Sequence, residues 1–547
     1  MVMQSRISAF LSRNERFIPI FLFLLFLAVS VPGINWGTPQ VWNPDELVGR
    51  VDLALGGEIQ FDENEPDFNY PSLPKYVMYG IGKIVYGLGY SRSAYIISVR
   101  LFSAFLGALA VVLVYYLARR ISTNSLTAAL AGLLMIASGV VPANARFGHN
   151  DLYLQLFSIL CVYFLINYQA SKNRLWMYGS FFAVGLAASS KYTGGSLILV
   201  PLFTLIFIDW SDVRKNWLQT FEILFIGLSL SFLGYAAGTP KSLLWMSFYF
   251  KRVIPALTRY PQYGLQPNST IGLFGQWATF IDAVGLFIFC LFMLAFIWFA
   301  VKLILIHFGK AHMEENQKQA VLILIVALVF FDLPFMISVN YIPRYFIPFV
   351  PFFSILAALF VREITELSTQ KGFRYGQAGI NLILFIGISY SLLRLVSTAL
   401  LFMNDARMPA GEYLQTLRGG TVVEYTLYPP NIPYERFFKA RNYPIFFIKY
   451  PGQEVPTNKA FQYNQGEEGL IERKVDYLVI DTFTYSRLSD PYTCEANPVE
   501  CDFFKKLLAG QTHFRLIKEF IYKIPPYLPQ VTISAVNPEI RIYEYSP

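Results

Sequence analysis

Charged side chains are scarce in this chain of 547 residues. They make up 15% of it and apolar residues 55%, whereas a soluble globular protein usually has about 25% charged residues. The shortfall lies in long uncharged runs, such as residues 18–34 and 382–393, and runs approaching ~20 apolar residues are long enough to cross a bilayer. The composition therefore excludes an ordinary soluble protein and predicts a multi-pass membrane protein.

Cysteine is also rare, with four residues. Cys161 and Cys290 lie in apolar runs, where a free cysteine behaves as a small apolar packing residue. Cys494 and Cys501 lie close together in the polar C-terminal part, and they can pair in a disulfide if that part is extracytoplasmic. The spacing of the four cysteines fits no metal-binding motif.

The apolar runs predict about eleven membrane-spanning helices. The run at 272–306 is longer than a span needs, so we expect it to tilt or to extend beyond the bilayer. The sequence SSKYTGG allows either one kinked helix or two helices joined by a tight turn. The first run has no small-x-small cleavage site, which favours an uncleaved anchor over a signal peptide. The spans are placed near residues 17–35, 94–118, 125–142, 152–169, 175–190, 193–209, 218–238, 272–306, 319–339, 345–361 and 378–403.

Basic residues indicate the orientation of the chain. The formal net charge is +8, but the basic residues are scattered among loops, which favours topology signals over a nucleic-acid site. The positive-inside rule places the N-terminus in the cytoplasm and, with an odd number of spans, residues 405–547 outside. We therefore expect a membrane domain at 1–404, with long external loops at 36–93 and 239–271, in the plasma or inner membrane.

Residues 405–547 have the pattern of a small α/β domain. The segments TVVEYTLY, DYLVIDTF, FRLIKEFI and IRIYEYS alternate β-branched and aromatic residues, as strands do. The helix-like segment PAGEYLQTL lies in the same part.

Ionisable residues follow several of the predicted spans, always at the ends that the odd–even count places outside. Because charges at membrane depth are costly and tend to mark function where they line a cavity, we expect them to converge. Carboxylates, an imidazole and cations together suit an acid/base reaction on a lipid phosphate. The residues are Asp45 and Glu46 after the first span, Arg146, His149 and Asp151 after the third, Lys191 after the fifth, and Arg344 after the ninth.

Each of these residues also has a simpler interpretation. Pro44 favours a first helical turn, in which the adjacent pair Asp45 and Glu46 could merely compensate the helix dipole. The polar residues near 149–151 could form an ordinary loop, and Lys191 could extend to the membrane interface. Arg344, beside Tyr345, could anchor the chain in an aromatic belt. All of these residues are predicted at the external face of the membrane, and they combine carboxylates, an imidazole and cations. These two features together favour a common site.

An ordered set of motifs resembles a known superfamily. The segments NPDE, NYPSLPKYV, ARFGHND, KYTG and PRYFIPFVPF, in this order along residues 15–404, are similar to those of GT-C glycosyltransferases of the protein-mannosyltransferase and aminoarabinose-transferase kind. NDARMPAGEYL, DYLVIDTFTYSR and NPEIRIYEYSP resemble the external domain of bacterial members. The order of the set is fairly specific for the superfamily and weak for the substrate.

The resemblance implies a mechanism. Such enzymes transfer a sugar from a polyprenyl-phosphate donor to a hydroxyl of a lipid, glycan or protein acceptor on the external face, generally with inversion. The family's catalytic base matches Asp45, and Glu46 would orient or assist it. Asp151, His149 and Arg146 match the polar loop that shapes the sugar site. That loop contacts a metal in some relatives, so a divalent ion is possible, with Glu46, His149 and Asp151 as candidate ligands, and no other cofactor is expected.

Cations are needed where the leaving phosphate gains charge. Lys191 as a point charge and Arg344 by its bidentate geometry are the candidates, with Tyr345 as a neighbouring substrate contact. Many relatives carry a basic residue before the prolines that correspond to Pro71 and Pro74. This chain has Tyr70 there and a lysine only later, at Lys75, so one expected phosphate contact is missing or displaced, and Tyr70 and Lys75 are kept as candidates.

Two other function classes remain open at this point. A transporter would also gather ionisable residues in a membrane cavity, but transporters tend to show repeated halves and midplane charges, and no internal repeat is evident here. A non-catalytic subunit with the same fold is the second alternative. Loss of glycosyl transfer on replacing Asp45 would separate an enzyme from both.

Overall fold

The protein is described here from a computed structural model, which covers residues 15–59, 70–262, 264, 269–370, 374–445, 447, 453 and 466–547. The chain divides into two compact units. The first, the membrane unit, consists of Met1–Ile34, Leu47–Pro261 and Thr270–Val396. The second, the sheet unit, consists of Asn35–Glu46, Gln262–Ser269 and Ser397–Pro547. The short segment that contains Asp45 and Glu46 thus belongs to the same compact unit as the C-terminal part.

Long apolar helices lie at or near the predicted spanning runs. Their bounds are Ile18–Ser30, Arg92–Ser122, Ser125–Ala137, Asp151–Ser171, Arg174–Ser190, Tyr192–Ile208, Trp217–Gly238, Leu286–His307, Glu315–Met336, Val350–Gln370 and Arg374–Met403. Six helical stretches in the described residues are long and apolar enough to cross a membrane, namely Arg92–Ser122, Asp151–Ser171, Trp217–Gly238, Leu286–His307, Glu315–Met336 and Tyr375–Leu414. The multi-pass helical fold class is confirmed, and the count of eleven spans stays a prediction.

Shorter helices connect or flank these elements. They are Val48–Leu55, Leu73–Gly87, Val140–Asn144, Trp210–Lys215, Lys241–Leu244, Met246–Arg259, Gly272–Val284, Arg407–Leu414, Gly466–Glu472, Thr482–Tyr485, Pro491–Ala496 and Pro498–Leu508.

The backbone breaks at two places in the long runs. In place of the single long helix predicted at 272–306, two helices meet at Gly285, whose φ of +83° interrupts the helical path. At SSKYTGG, Lys191 has extended dihedral angles (φ −154°, ψ 136°) between the helix Arg174–Ser190 and a 3₁₀ turn that starts at Tyr192. The alternative of two helical segments joined by a sharp break is therefore the one the chain adopts.

The helices Arg174–Ser190 and Trp217–Gly238 pack at very close range. A Cβ at Gly185 would lie 2.1 Å from the carbonyl oxygen of Ser231, and a Cβ at Gly234 would lie 2.5 Å from that of Phe182. Small residues let the backbones of membrane helices approach in this way, where van der Waals contact is the main attraction.

The sheet unit contains a five-stranded mixed sheet. Its strands are β1 (Val422–Tyr425), β2 (Lys439–Asn442), β3 (Tyr477–Asp481), β4 (Phe514–Phe520) and β5 (Ile540–Tyr545), in the order β2-β1-β3-β5-β4. β1 pairs in parallel with β2 and β3, whereas β5 is antiparallel to both β3 and β4. The central strand β3 is buried along its whole length. The prediction of a C-terminal domain with α and β elements is confirmed.

Two apolar clusters form the core of this unit. One contains Leu478 and Phe504, from β3 and the helix Pro498–Leu508. The other contains Leu414 and Val479, from the helix Arg407–Leu414 and β3. Because neighbouring residues of a strand point to opposite faces, the two clusters cover the two faces of the sheet.

Cys494 and Cys501 form a disulfide in the sheet unit. In the membrane unit, Cys161 is buried, as its packing role requires. Cys290 is exposed, so it does not serve the packing role predicted for it.

The close helix contact at Gly185 should be sensitive to side-chain size. We expect Gly185→Val to lower the free energy of unfolding by about 1–3 kcal/mol, because the added atoms force two packed backbones apart. The measurement is the thermal unfolding midpoint in detergent. Gly379→Val is the matched control, since a Cβ at that helical glycine would meet nothing within 4 Å. Equal midpoints for the two variants would contradict the close packing.

Candidate functional site

Four of the predicted site residues meet in one buried cluster of the membrane unit. Lys191 Nζ lies 2.8 Å from Asp151 Oδ1, and His149 Nδ1 lies 2.8 Å from Asp151 Oδ2. Arg344 Nε lies 4.0 Å from the same Oδ2 atom. Asp151 is fully buried, and the side chain of Arg344 is 15% exposed. We call these four residues the Asp151 cluster.

Local backbone structure explains how distant segments supply the cluster. Asp151 is the first residue of the helix Asp151–Ser171, a position where the helix dipole favours a carboxylate. Lys191 occupies the extended break described above, which Gly194 permits because a Cβ there would lie 2.5 Å from the carbonyl oxygen of Ala187. Arg344 lies in a 3₁₀ turn, Pro343–Phe346, that follows an extended residue.

Two tyrosine rings line the cluster. Lys191 Nζ lies 4.3 Å from the centroid of the Tyr345 ring, close enough for a cation–π contact, and the guanidinium of Arg344 lies 6.0 Å from it. The ring of Tyr70 meets the imidazole of His149 edge to face at 5.7 Å. Tyr70 and Tyr345 therefore lie beside the cluster, and their roles as substrate contacts stay predictions.

Two cationic side chains, Lys191 and Arg344, lie around one carboxylate in the cluster. Burial lowers the pKa of His149, and the positive charge of Arg344 lowers it further, while Asp151 opposes both. The surroundings of the imidazole therefore favour its neutral form. A largely buried setting strengthens the attraction between such cations and an anion, because the local dielectric constant is low.

Arg146 and Lys75 are both fully buried in the membrane unit. Arg146 is fully buried and donates hydrogen bonds to the carbonyl oxygens of Val29, Pro32 and Pro142, at 2.6–3.0 Å. Two of these carbonyl groups lie at or just after the end of the helix Ile18–Ser30 and the third in the helix Val140–Asn144, so Arg146 links the two segments. The substrate contact of Arg146 stays a prediction. Lys75 is fully buried in the helix Leu73–Gly87.

A polar residue that the sequence analysis did not single out borders the Asp151 cluster. Asn150 is fully buried between His149 and Asp151, and its side-chain amide donates to the carbonyl oxygen of Ser190 at 3.1 Å. This bond ties the loop that carries His149 to the end of the helix before Lys191. The motif GHND contains the signal, since an asparagine beside two site residues is a natural candidate for orienting them.

Asp45 and Glu46 belong to the sheet unit, and their backbone differs from the prediction. The helix starts at Val48, and Asn43 to Glu46 form a turn instead, in which Glu46 N donates to Asn43 O and Asp45 N to Asn43 Oδ1, both at 3.1 Å. The asparagine side chain competes with the helix for the amide of Asp45. Asp45 is exposed and Glu46 is buried. The convergence of the pair with the Asp151 cluster stays a prediction.

Two residues of the C-terminal part lie in the electrostatic neighbourhood of Asp45. Burial raises the pKa of Tyr428, Arg487 opposes this shift, and the carboxylate of Asp45 adds to it. Arg487 donates a hydrogen bond to the Tyr428 hydroxyl at 3.2 Å. No pattern in the sequence connects Tyr428 or Arg487 to Asp45, because the three residues are hundreds of positions apart.

The described residues do not fit a metal site. Over these residues no group of three His, Cys, Asp or Glu side chains comes close enough to hold an ion. Asp151 is compensated by Lys191, and one imidazole beside it is too small a donor set for the usual divalent ions. We therefore assign no metal to His149 and Asp151.

Comparisons with known proteins support the resemblance. Residues 83–241 match the family model of dolichyl-phosphate-mannose-protein mannosyltransferases. A polyprenol-phosphate-mannose–protein mannosyltransferase of Corynebacterium glutamicum is 27% identical over 206 residues, 33% of this chain and 37% of that protein. An uncharacterized protein of Aquifex aeolicus is 27% identical over 183 residues, 32% of this chain and 35% of that protein. The chain thus spans little more than a third of the length of these curated relatives.

The fold extends over almost the whole chain. The crystal structure of ArnT from Cupriavidus metallidurans bound to undecaprenyl phosphate superimposes with a TM-score of 0.50, covering 95% of this chain and 97% of ArnT at 15% sequence identity. At that identity the likeness shows the fold alone. The resemblance found in the sequence is confirmed, and the chain is a multi-pass membrane protein with the GT-C fold whose residues 83–241 match the protein-mannosyltransferase family.

Proposed function

We propose that the protein is an inverting glycosyltransferase of the cell membrane. It takes a sugar from a polyprenyl-phosphate donor and transfers it to a hydroxyl of a lipid, glycan or protein acceptor on the extracytoplasmic side. The observation that carries the proposal is the Asp151 cluster, in which two cationic side chains and an imidazole surround a buried carboxylate in the membrane unit of a GT-C fold. The relatives named for polyprenol-phosphate-mannose, and the undecaprenyl phosphate bound to ArnT, support this class of donor.

The Asp151 cluster suits a lipid-linked phosphate. The phosphate gains negative charge as the bond to the sugar breaks, and cations fixed in a low-dielectric setting stabilise that charge more strongly than water does. Arg344 is the main candidate because its guanidinium can hold two phosphate oxygens at once. Lys191, already paired with Asp151, adds a second positive charge from a fixed direction. Tyr70 and Tyr345 would contact the sugar or the phosphate.

Asp45 would act as the general base. A hydroxyl is a weak nucleophile, and a carboxylate within hydrogen-bond reach accelerates its attack by removing the proton. The acceptor oxygen forms a bond to the anomeric carbon, the bond from that carbon to the phosphate oxygen breaks, and the proton moves to Asp45. Polyprenyl phosphate leaves with the electron pair. Attack from the face opposite the phosphate inverts the anomeric carbon, and Glu46 would orient the base.

The donor class can be tested directly. Purified protein in detergent or vesicles is incubated with a panel of polyprenyl-phosphate sugars, including the mannose form, and with total membrane lipids as acceptors. Release of polyprenyl phosphate with a labelled product establishes the class. Use of nucleotide sugars, with no reaction from any lipid-linked donor, would overturn it, and transport without transfer would favour the transporter alternative.

Replacing Asp45 tests the base. We expect Asp45→Asn to reduce kcat by about 10²–10⁴-fold, since the amide cannot accept the proton, while the affinity for the donor stays the same. The matched control is Asp502→Asn, another exposed carboxylate of the sheet unit, paired with Lys506 at 2.6 Å. Wild-type turnover by purified Asp45→Asn protein would rule out Asp45 as the base.

Replacing Arg344 tests the phosphate site. We expect Arg344→Gln to weaken donor binding by about tenfold or more, because a charged hydrogen bond contributes about 1.5–3 kcal/mol. The measurement is the Kd for polyprenyl phosphate by titration calorimetry or a competition assay. Arg362→Gln serves as the control, because Arg362 is paired with Glu366 and Ser122 and touches no residue of the cluster. Unchanged affinity in Arg344→Gln would place the phosphate elsewhere.

A further inference from the structure

Two buried tryptophans anchor the segment 35–46 inside the sheet unit. Trp36 is fully buried and donates its indole N–H to Asp405 Oδ2 at 2.8 Å. Trp42 donates its indole N–H to Asn431 Oδ1 at 3.0 Å. The two indoles meet edge to face with ring centroids 5.4 Å apart. The segment is thus tied to the C-terminal part of the chain at both of its aromatic residues.

Arg407 is the residue that joins these contacts. Its guanidinium lies 4.4 Å from the Trp42 ring centroid and 5.0 Å from that of Trp36. Its Nε and Nη2 donate to the two carboxylate oxygens of Asp405 at 2.9 and 2.7 Å, and Nη2 also donates to the carbonyl oxygen of Ala535 at 2.8 Å. Arg407 and Asp405 are both fully buried.

The anchor is close in sequence to the turn that carries the proposed base. Two residues separate Trp42 from Asp45, and one of them, Asn43, accepts hydrogen bonds from the backbone amides of both Asp45 and Glu46. The indole of Trp42 and the hydrogen bonds of Asn43 hold the backbone of this turn. A shift of the indole would therefore move the backbone that carries the Asp45 carboxylate.

Stability alone is a weak reason for such a buried ion pair. Removing two charges from water costs about as much as their attraction returns, and apolar residues of similar volume often stabilise a core equally well. In some systems where this has been tested, a buried ion pair is retained because it favours one structural arrangement over the alternatives. A planar guanidinium that must satisfy Asp405 and lie against two indoles permits only one arrangement of these groups.

We propose that Arg407 is a positioning residue, which holds Trp36 and Trp42 and thereby fixes the turn of Asp45 for the transfer reaction. This rests on the proposed role of Asp45 as base. The C-terminal part of the chain is then part of the catalytic apparatus, because it determines where the base stands. Asp405 and Asn431 contribute to the same arrangement through their bonds to the indoles.

The test compares two arginines of the same unit, each of which pairs with a fully buried carboxylate. Arg407→Lys keeps the charge but loses the bidentate fork and the flat face. Arg473→Lys is the matched control, because Arg473 donates to both oxygens of the buried Glu424 at 2.8 and 3.0 Å, on the strands β1 and β2 side of the sheet. Hydrogen–deuterium exchange of peptides covering residues 35–46 reports the anchor, and steady-state kinetics with a polyprenyl-phosphate sugar reports the reaction.

We expect faster exchange in residues 35–46 and a kcat reduced by at least about tenfold in Arg407→Lys, since a misplacement of about 1 Å can cost 10²-fold. The KM for the donor should stay within about twofold of wild type, because the Asp151 cluster belongs to the membrane unit. Arg473→Lys should show neither effect, even if its thermal unfolding midpoint falls by as much as that of Arg407→Lys. Trp42→Phe, which loses the bond to Asn431 and part of the ring surface against Arg407 and Trp36, should show a smaller change in both readouts and serves if Arg407→Lys does not fold.

The outcomes separate this inference from the proposed function. Unchanged exchange in residues 35–46 overturns the positioning role, and so does faster exchange with wild-type kcat, or an equal loss of kcat in Arg407→Lys and Arg473→Lys. If wild-type protein transfers no sugar from any lipid-linked donor, the proposed function fails, and with it the catalytic part of the inference. The exchange experiment then still decides whether Arg407 holds the turn.

Discussion

The arrangement of the membrane unit depends on one electrostatic constraint, the burial of the Asp151 carboxylate. A carboxylate at this depth is costly unless cations and hydrogen-bond donors surround it. Lys191, His149 and Arg344 fill that role, and each comes from a different part of the chain. The pairing therefore ties the start of one helix to a break between two others and to a 3₁₀ turn far along the sequence. The same constraint gathers two cationic side chains at one place, which is what an incoming phosphate would need.

The sheet unit also contains a buried carboxylate paired with a cation, but this pair holds a different kind of group. Asp405 is as deeply buried as Asp151, and Arg407 satisfies it with two parallel hydrogen bonds. The two tryptophans of residues 35–46 pack against that pair, so a segment from the beginning of the chain is held by residues near its end. In both units a buried carboxylate fixes the positions of groups that are distant in sequence. Asp151 fixes cations in the membrane unit, and Asp405 helps to fix the turn of the proposed base in the sheet unit.

Local signals in the sequence were sufficient where a single physical preference dominates. Hydrophobic length located the long helices, and alternation of β-branched and aromatic residues located β1, β3, β4 and β5. β2, with the sequence KARN, has neither signal and was missed, since it pairs with β1 at the edge of the sheet through its backbone. Asp45 and Glu46 were expected in a helical turn because Pro44 favours one. Instead, the Asn43 side chain accepts a hydrogen bond from the Asp45 amide and the Asn43 carbonyl accepts one from the Glu46 amide, which closes a different turn.

The sequence by itself determined the membrane class, the positions of the apolar helices and most strands, and the set of ionisable residues that stand at helix ends. These follow from hydrophobicity and periodicity, which act over a few residues at a time. Only the tertiary structure decided that Arg146 caps carbonyl groups while Lys191 reaches Asp151, that a glycine pair brings two helices into contact, and that Trp36 and Trp42 lie against Arg407. Those outcomes depend on how buried charges and close surfaces from distant segments satisfy one another, and no local pattern contains that information.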